Sequence, residues 1–472
     1  MLFHSPDFIF AFFPTVLLGY WLITRHLSPR LAKVWLLLSS LFFYAWWNVN
    51  YLPLLLTSIL VNYFVGNLMM NGVAAKEKLA ILWFGISFNL LLLFYYKYAD
   101  FFIWNVNAVT DFSISPLRPV LPLAISFFTF QQIAYIVDCY HQEVKEKGLI
   151  NYALFVSFFP QLIAGPIVHH QQVIPQFEEK SRQKYHARNV LAGSFLFLIG
   201  MAKKSVLADP MTPYIDSAFL NVENINFLTA WISSLGFTFQ LYFDYSGYAD
   251  MAVGLALMFN IKLPFNFNSP LKAVNIADFW ERWNITLINF MRRYVYIPLG
   301  GNRGGSLKQD RNLAAVFMLS GLWHGAGWTF VVWGVAHSFC NIAFRHWRNA
   351  GLSMPTFFGW FLTFNFINVI CIIFRAESLN DVYLFLVAML DFSSLYEPHF
   401  FVDFEGKQSI DTVFLLQVIL CALIVFVPKI NSNTLVENYV QSPKYAVAFG
   451  LLIFINLLFI SNGPQEFVYF NF

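Results

Sequence analysis

His324 is the side chain best matched to proton transfer in this chain. It sits in Leu322-Trp323-His324-Gly325-Ala326-Gly327-Trp328, inside a run from 312 to 344 that contains no Asp, Glu, Lys or Arg. An ionisable group within so apolar a run is costly to bury, which points to a site, and an imidazole titrates near neutral pH, as a general base must. The plainer alternative is a neutral histidine hydrogen-bonded between helices. The flanking glycines favour function, because they let a substrate or a second backbone come close. His337 follows thirteen residues later, about 220° further round a continuous helix, and is therefore expected to face elsewhere and to serve packing. Asn284, in Trp280-Glu281-Arg282-Trp283-Asn284-Ile285, could orient His324 or hydrogen-bond a reacting carbonyl; a helix–helix hydrogen bond is the competing reading.

Other polar groups carry weaker signals. Asp244 and Asp250 stand at the end of an uncharged stretch, where a carboxylate usually pairs or lines a polar path; partners for the arginines near 282 are expected. His169-His170 invites a metal reading, but adjacent histidines should point apart and no second ligand pair lies at the usual spacing, so no metal site is expected. Cys139, Cys340, Cys371 and Cys421 are scattered and read as small buried residues, not a disulfide frame. Zinc-protease, esterase-elbow and Walker motifs are absent, which leaves metalloprotease, serine-esterase and ATP-driven transport chemistry unsupported. A net charge of +3 gives no pointer to nucleic acid.

The elements that must position these residues are set by lipid. The chain is 58% hydrophobic and 12% charged, against a usual charged content of about 25%. Charge-free runs recur at 8 to 24, 34 to 75, 79 to 96, 119 to 137, 149 to 177, 224 to 243, 312 to 344, 350 to 374, 412 to 428 and 445 to 465. At roughly 20 residues per crossing these predict about 11 to 13 transmembrane or re-entrant helices in an all-α polytopic protein. The chain reads as one membrane domain: N-terminal spans over 1–140, a core over 150–345, C-terminal spans over 350–462, and a tail over 463–472. Pro160, Gly165-Pro166, Pro264, Pro270, Pro298 and the glycine pairs at 300 and 304 break the core, so a cavity is expected there. The first apolar segment lacks a basic leader and a cleavage site and is read as a retained span. By the positive-inside rule, Arg25, Arg30 and Lys33, the loop 178 to 188, Lys203-Lys204 and the stretch 282 to 311 are cytosolic, and the tail after 462 is outside. The stretch 278 to 311 holds six basic and three acidic residues; it is either an ordinary cytosolic loop or a cationic lip for an anionic, nucleotide-bearing cofactor.

Taken in order, several segments resemble the membrane-bound O-acyltransferase (MBOAT) superfamily, and within it the bacterial alginate O-acetylase type. They are FYYKYADFF (94–102), PLAISFFTFQQIAYIVD (122–138), FFPQLIAGPIV (158–168), QLYFDYSGYADMAVGLALM (240–258), DFWERWNITL (278–287), YIPLGGNRGG (296–305) and GLWHGAGWTFVVWG (321–334). The resemblance implies the MBOAT fold, His324 as the catalytic base, acetyl-CoA as acyl donor with no permanently bound cofactor, and a bacterial inner-membrane location. Alginate-type members usually carry His where this chain has Asn284, and an asparagine cannot act as a base at neutral pH. The terminal Pro464-Gln465-Glu466-Phe467-Val468-Tyr469-Phe470-Asn471-Phe472 reads either as an interfacial aromatic anchor or, by resemblance, as a motif whose Tyr469 transiently accepts the acyl group. A phenol near pKa 10 leaves much as a thiol near about 8.5 does, so a tyrosyl ester keeps most of the transfer potential. By resemblance the acetyl then passes to a periplasmic SGNH-type O-acetyltransferase acting on alginate, another exopolysaccharide or peptidoglycan. Arg282, Arg292, Arg293 and Arg303 are the candidates for cofactor phosphates. Two rivals remain: a D-alanyl transferase for teichoic acids, which would borrow its tyrosine motif from a separate small protein, and a polysaccharide transporter or flippase, which would not need His324 as a base.

Overall fold

The computed structural model describes residues 1–72, 74–145, 148–393, 412–427, 431–437, 442–460 and 467. Their regular structure is helical; the only extended pairing among them is one antiparallel bridge between Phe267 and Trp283. Among the described residues, six helices are long and apolar enough to cross a membrane: Asp7–His26, Val49–Met70, Ala75–Val109, Ala187–Leu220, Thr356–Arg375 and Pro443–Ile460, with shorter apolar helices at Leu379–Leu390 and Thr412–Phe426. The sequence expectation also counted re-entrant and shorter helices, and a charge-free run is not always an unbroken helix. The run from 149 to 177 folds in three pieces, and that from 312 to 344 in two helices joined by a turn.

Contacts divide the chain into two compact units, Met1–Leu198 with Tyr248–Phe265, and Ile199–Gly247 with Asn266–Phe472. The first holds α1 (Asp7–His26), α2 (Pro29–Trp47), α3 (Leu52–Met70), α4 (Ala75–Val109), α5 (Ile125–Tyr140), α6 (Leu149–Ser157), α7 (Phe159–Leu162) and α8 (His170–Glu178). Ser28 caps α2 by accepting from Leu31 N at 3.2 Å, with Pro29 at the first helical position where its missing N–H costs nothing. Polar groups on these apolar helices find one another: Asn62 and Asn89 pair their carboxamides at 2.6 and 3.2 Å between α3 and α4, as polar side chains in lipid must. Lys33 and Glu178, both at ends expected to share one side of the membrane, form an ion pair, and Asn151 donates to the same carboxylate at 2.6 Å. The Lys33 hydrogen bond is the main reason the Glu178 carboxyl is held below its ordinary pKa.

α9 (Ala187–Leu220) and α10 (Phe227–Met258) each run through both units. The second unit continues with α11 (Ile276–Arg282), α12 (Ile285–Met291), α13 (Ser306–His324), α14 (Trp328–Asn349), α15 (Thr356–Arg375), α16 (Leu379–Leu390), α17 (Thr412–Phe426), α18 (Ser432–Glu437) and α19 (Pro443–Ile460). Lys203 and Lys204 are not loop charges: they lie within α9, where the backbone widens into a π turn over Lys203–Ala208, and Lys204 is 1% exposed. Its ammonium meets Asp209 and Asp244, each at 2.6 Å. Asp244 therefore pairs with Lys204 and not with the arginines near 282. A carboxylate with no exposed surface needs a cation in direct contact, and a lysine from the adjacent helix supplies it.

Candidate active site

His324 is the last residue of α13, and Gly325-Ala326-Gly327 turns the chain directly into α14. The two helices pack so closely that two glycines are obligatory. A Cβ on Gly321 would stand 2.4 Å from the Phe330 carbonyl oxygen, and one on Gly334 would stand 2.9 Å from that of Phe317. The approach of the second backbone thus falls on Gly321 and Gly334, whereas a Cβ on Gly325, beside His324, would meet the Phe330 ring. The imidazole is 6% exposed and is surrounded by rings: Trp323 and Trp333 at centroid distances of 5.0 Å and Phe374 at 5.2 Å, all inclined.

The turn at 325–327 also corrects the expectation for His337. The angular argument assumed one continuous helix, but the two histidines lie on different helices. Both pack on Trp333, His324 at 5.0 Å and His337 at 4.3 Å.

Asn284 is held by a short pairing of two extended stretches. Asn268 N donates to Arg282 O at 2.9 Å, Ile285 N to Asn266 O at 3.0 Å, and the Asn266 side-chain oxygen accepts from Thr286 N and Oγ1. Between α11 and α12, Asn284 itself takes the left-handed conformation at φ 46°, ψ 51°. Asn is among the few residues other than glycine that adopt it readily. Asn284 is 1% exposed, and its carboxamide and that of Asn266 lie beside the hydroxyl of Tyr245. Trp280 Nε1, Ser320 Oγ and His337 Nδ1 are buried without hydrogen-bond partners among the described residues.

Of the four arginines expected at phosphates, Arg282 is committed to Asp278 at 2.6 Å, one helical turn away. Arg292 and Arg303 are exposed, and Arg293, also exposed, lies over the Tyr294 ring at 5.6 Å. Tyr469 lies outside the described residues. Phe467, two residues earlier, is buried at 1% exposure and packs on Tyr245 at 5.7 Å. That position does not suit an interfacial anchor.

The adjacent histidines, expected to diverge, converge in the first unit. His169 and His170 both direct Nε2 to the same Asp138 oxygen, at 2.6 and 2.8 Å, and the three ligating atoms lie within 4.8 Å of one another. No spacing rule reveals this, because Asp138 comes from α5, 31 residues before His169.

A family model described as MBOAT, membrane-bound O-acyltransferase family, matches residues 142–380. The chain belongs to the membrane-bound O-acyltransferase family. This MBOAT protein is 42% identical to a peptidoglycan O-acetyltransferase of Helicobacter pylori over 100% of its own length and 98% of that protein's. It is 37% identical to a probable alginate O-acetylase of Azotobacter vinelandii over 83% of its own length and 78% of that protein's. A teichoic acid D-alanyltransferase of Bacillus subtilis is more distant, at 27% over 52% of this chain and 66% of that protein. It is therefore an acyltransferase and a multi-pass membrane protein.

Proposed function

We propose that this protein takes acetyl from cytosolic acetyl-CoA, in a bacterial cytoplasmic membrane, and delivers it for O-acetylation of peptidoglycan outside. The observation that carries the reading is the buried imidazole of His324 at the α13–α14 turn, in a chain whose full-length relative is a peptidoglycan O-acetyltransferase. His324 takes the proton from the attacking hydroxyl as that oxygen bonds to the thioester carbonyl carbon. The C–S bond then breaks and the proton passes to the leaving thiolate. The Asn284 carboxamide N–H, beside the Tyr245 hydroxyl, donates to the carbonyl oxygen as negative charge develops there. Tyr469 is the first acceptor: its phenol becomes an acetyl ester, and an SGNH-type partner outside removes the acetyl and regenerates the phenol. The burial of Phe467 against Tyr245, beside Asn284, supports delivery of this tail to the site. Arg292, Arg293 and Arg303 suit the donor's phosphates, whereas Arg282 is already neutralised by Asp278.

The test is base-labile acetyl on peptidoglycan purified from cells in which the variant is the sole copy. His324→Ala accumulates in the membrane and leaves the polymer unacetylated. Tyr469→Phe keeps the aromatic ring, removes the hydroxyl, and does the same. Full acetylation with His324→Ala sinks the base assignment, and full acetylation with Tyr469→Phe sinks only the relay. Acetyl found on an exopolysaccharide and not on peptidoglycan changes the acceptor, and D-alanine esters replace the donor reading.

A further inference from the structure

His337 sits at the centre of four aromatic rings. Its imidazole centroid is 4.3 Å from Trp333, 4.8 Å from Trp280, 5.4 Å from Phe366 and 5.9 Å from Phe317. It is 1% exposed. Packing alone would be served by a phenylalanine, since burying an imidazole nitrogen without a partner is unfavourable. Yet Nδ1 of His337 and Nε1 of Trp280 are both buried and both lack a hydrogen-bond partner among the described residues.

The two side chains line the same cavity, of about 40 Å³, which is walled also by Trp333, Thr238, Ile367 and Cys371. The hydroxyl of Thr238 is already used, donating to the Asn368 carboxamide oxygen at 2.8 Å. One water needs about 10–15 Å³ and two or more polar partners, so the cavity has both the room and the groups. An indole N–H can only donate. A water held there would accept from Trp280 and donate to Nδ1 of His337, leaving the imidazole proton on Nε2.

We propose that His337 is a positioning residue for the catalytic base: with Trp280 it holds an ordered water, and the ring so anchored fixes Trp333, against which His324 packs. The chain of contact is short and continuous, from water to His337, to Trp333 at 4.3 Å, to His324 at 5.0 Å. Trp280 closes it from the other side, with its ring 5.9 Å from Trp333 and nearly perpendicular to it. This inference rests on His324 being the base.

The experiment reads the initial rate of radiolabelled acetate incorporation into the extracytoplasmic polymer, per unit of accumulated protein, in cells carrying each full-length variant as sole copy. His337→Phe keeps the ring and removes both nitrogens. It is expected to lower the rate about 10- to 100-fold, the range for a displacement of a reacting group by a fraction of an ångström to about 1 Å. His337→Asn, whose Oδ1 stands near the position of Nδ1, recovers most of that loss despite its smaller volume. Trp280→Phe lowers the rate similarly, and the double variant with His337→Phe is no slower than the worse single one, because both lose the same water. An unimpaired His337→Phe, a His337→Asn as slow as His337→Phe, or additive losses in the double variant overturns the proposal. If His337→Phe fails to accumulate, Trp280→Phe decides: a wild-type rate there overturns it. The failure of the underlying reading looks different, since His324→Ala then retains activity whatever the His337 variants do.

Discussion

Gly321→Ala perturbs the site without touching a group that does chemistry. The added Cβ would lie 2.4 Å from the Phe330 carbonyl oxygen and 3.2 Å from Gly334 Cα, where ordinary contact begins at 3.4 Å. Both obstacles are backbone, so no side-chain rotation relieves them, and α13 and α14 must part by about 1 Å. Overpacking of this kind costs about 1–3 kcal/mol, a tolerable part of a total stability of about 5–15 kcal/mol, so the variant accumulates. His324 follows Gly321 by three residues, less than one helical turn, and moves with it. A misplacement of about 1 Å lowers turnover about 100-fold. The assay is polymer acetylation per unit of membrane-inserted protein, with Gly327→Ala as the control. There a Cβ meets its nearest neighbour, the Phe330 ring, at 3.5 Å, and activity stays within about twofold, the span of an ordinary surface change. Gly321→Ala within about threefold of wild type, or Gly327→Ala as damaging as Gly321→Ala, refutes the argument that these two backbones set the position of the imidazole.

Two further outcomes follow from the same unit. Lys204→Met removes the cation between Asp209 and Asp244 and costs about 3–5 kcal/mol, the usual effect of breaking a buried pair from one side; thermal unfolding in detergent shows a lowered midpoint, which Asp244→Asn in the same chain partly restores. Asn284→Gly keeps a left-handed backbone that Asn and Gly both adopt readily, so no strain is gained or relieved, and it removes only the carboxamide beside the Tyr245 hydroxyl. Unfolding is therefore unchanged while acetylation falls about 100-fold, the typical cost of losing one donor to a developing oxyanion; a destabilised variant that remains active would identify Asn284 as a structural residue.

The ordered motifs from 94 to 334 carried the family, because glycine, proline and aromatic positions repeat wherever backbone geometry repeats. The isolated imidazole of a charge-free run carried His324, because lipid makes such a group expensive and few proteins keep one without use. The Phe467 burial and the Lys204 contacts were not legible. A tail's destination depends on surfaces remote in the chain, and Lys204 sits among apolar residues that look alike whether they border a loop or fill a helix.

Composition and local pattern thus determined by themselves that the solvent is lipid, that the elements are helices, and which histidine stands alone in a charge-free run. They could do so because hydrophobicity and helical length act residue by residue along the chain. Only the tertiary structure decided that His169 and His170 meet on Asp138, that Asp244 answers Lys204, and that His337 shares Trp333 with His324. Each of these depends on where a helix breaks or on what lies across from it. The turn at 325–327 shows the difference: on one unbroken helix the two histidines diverge, and with three residues of turn between α13 and α14 they stand on the same tryptophan.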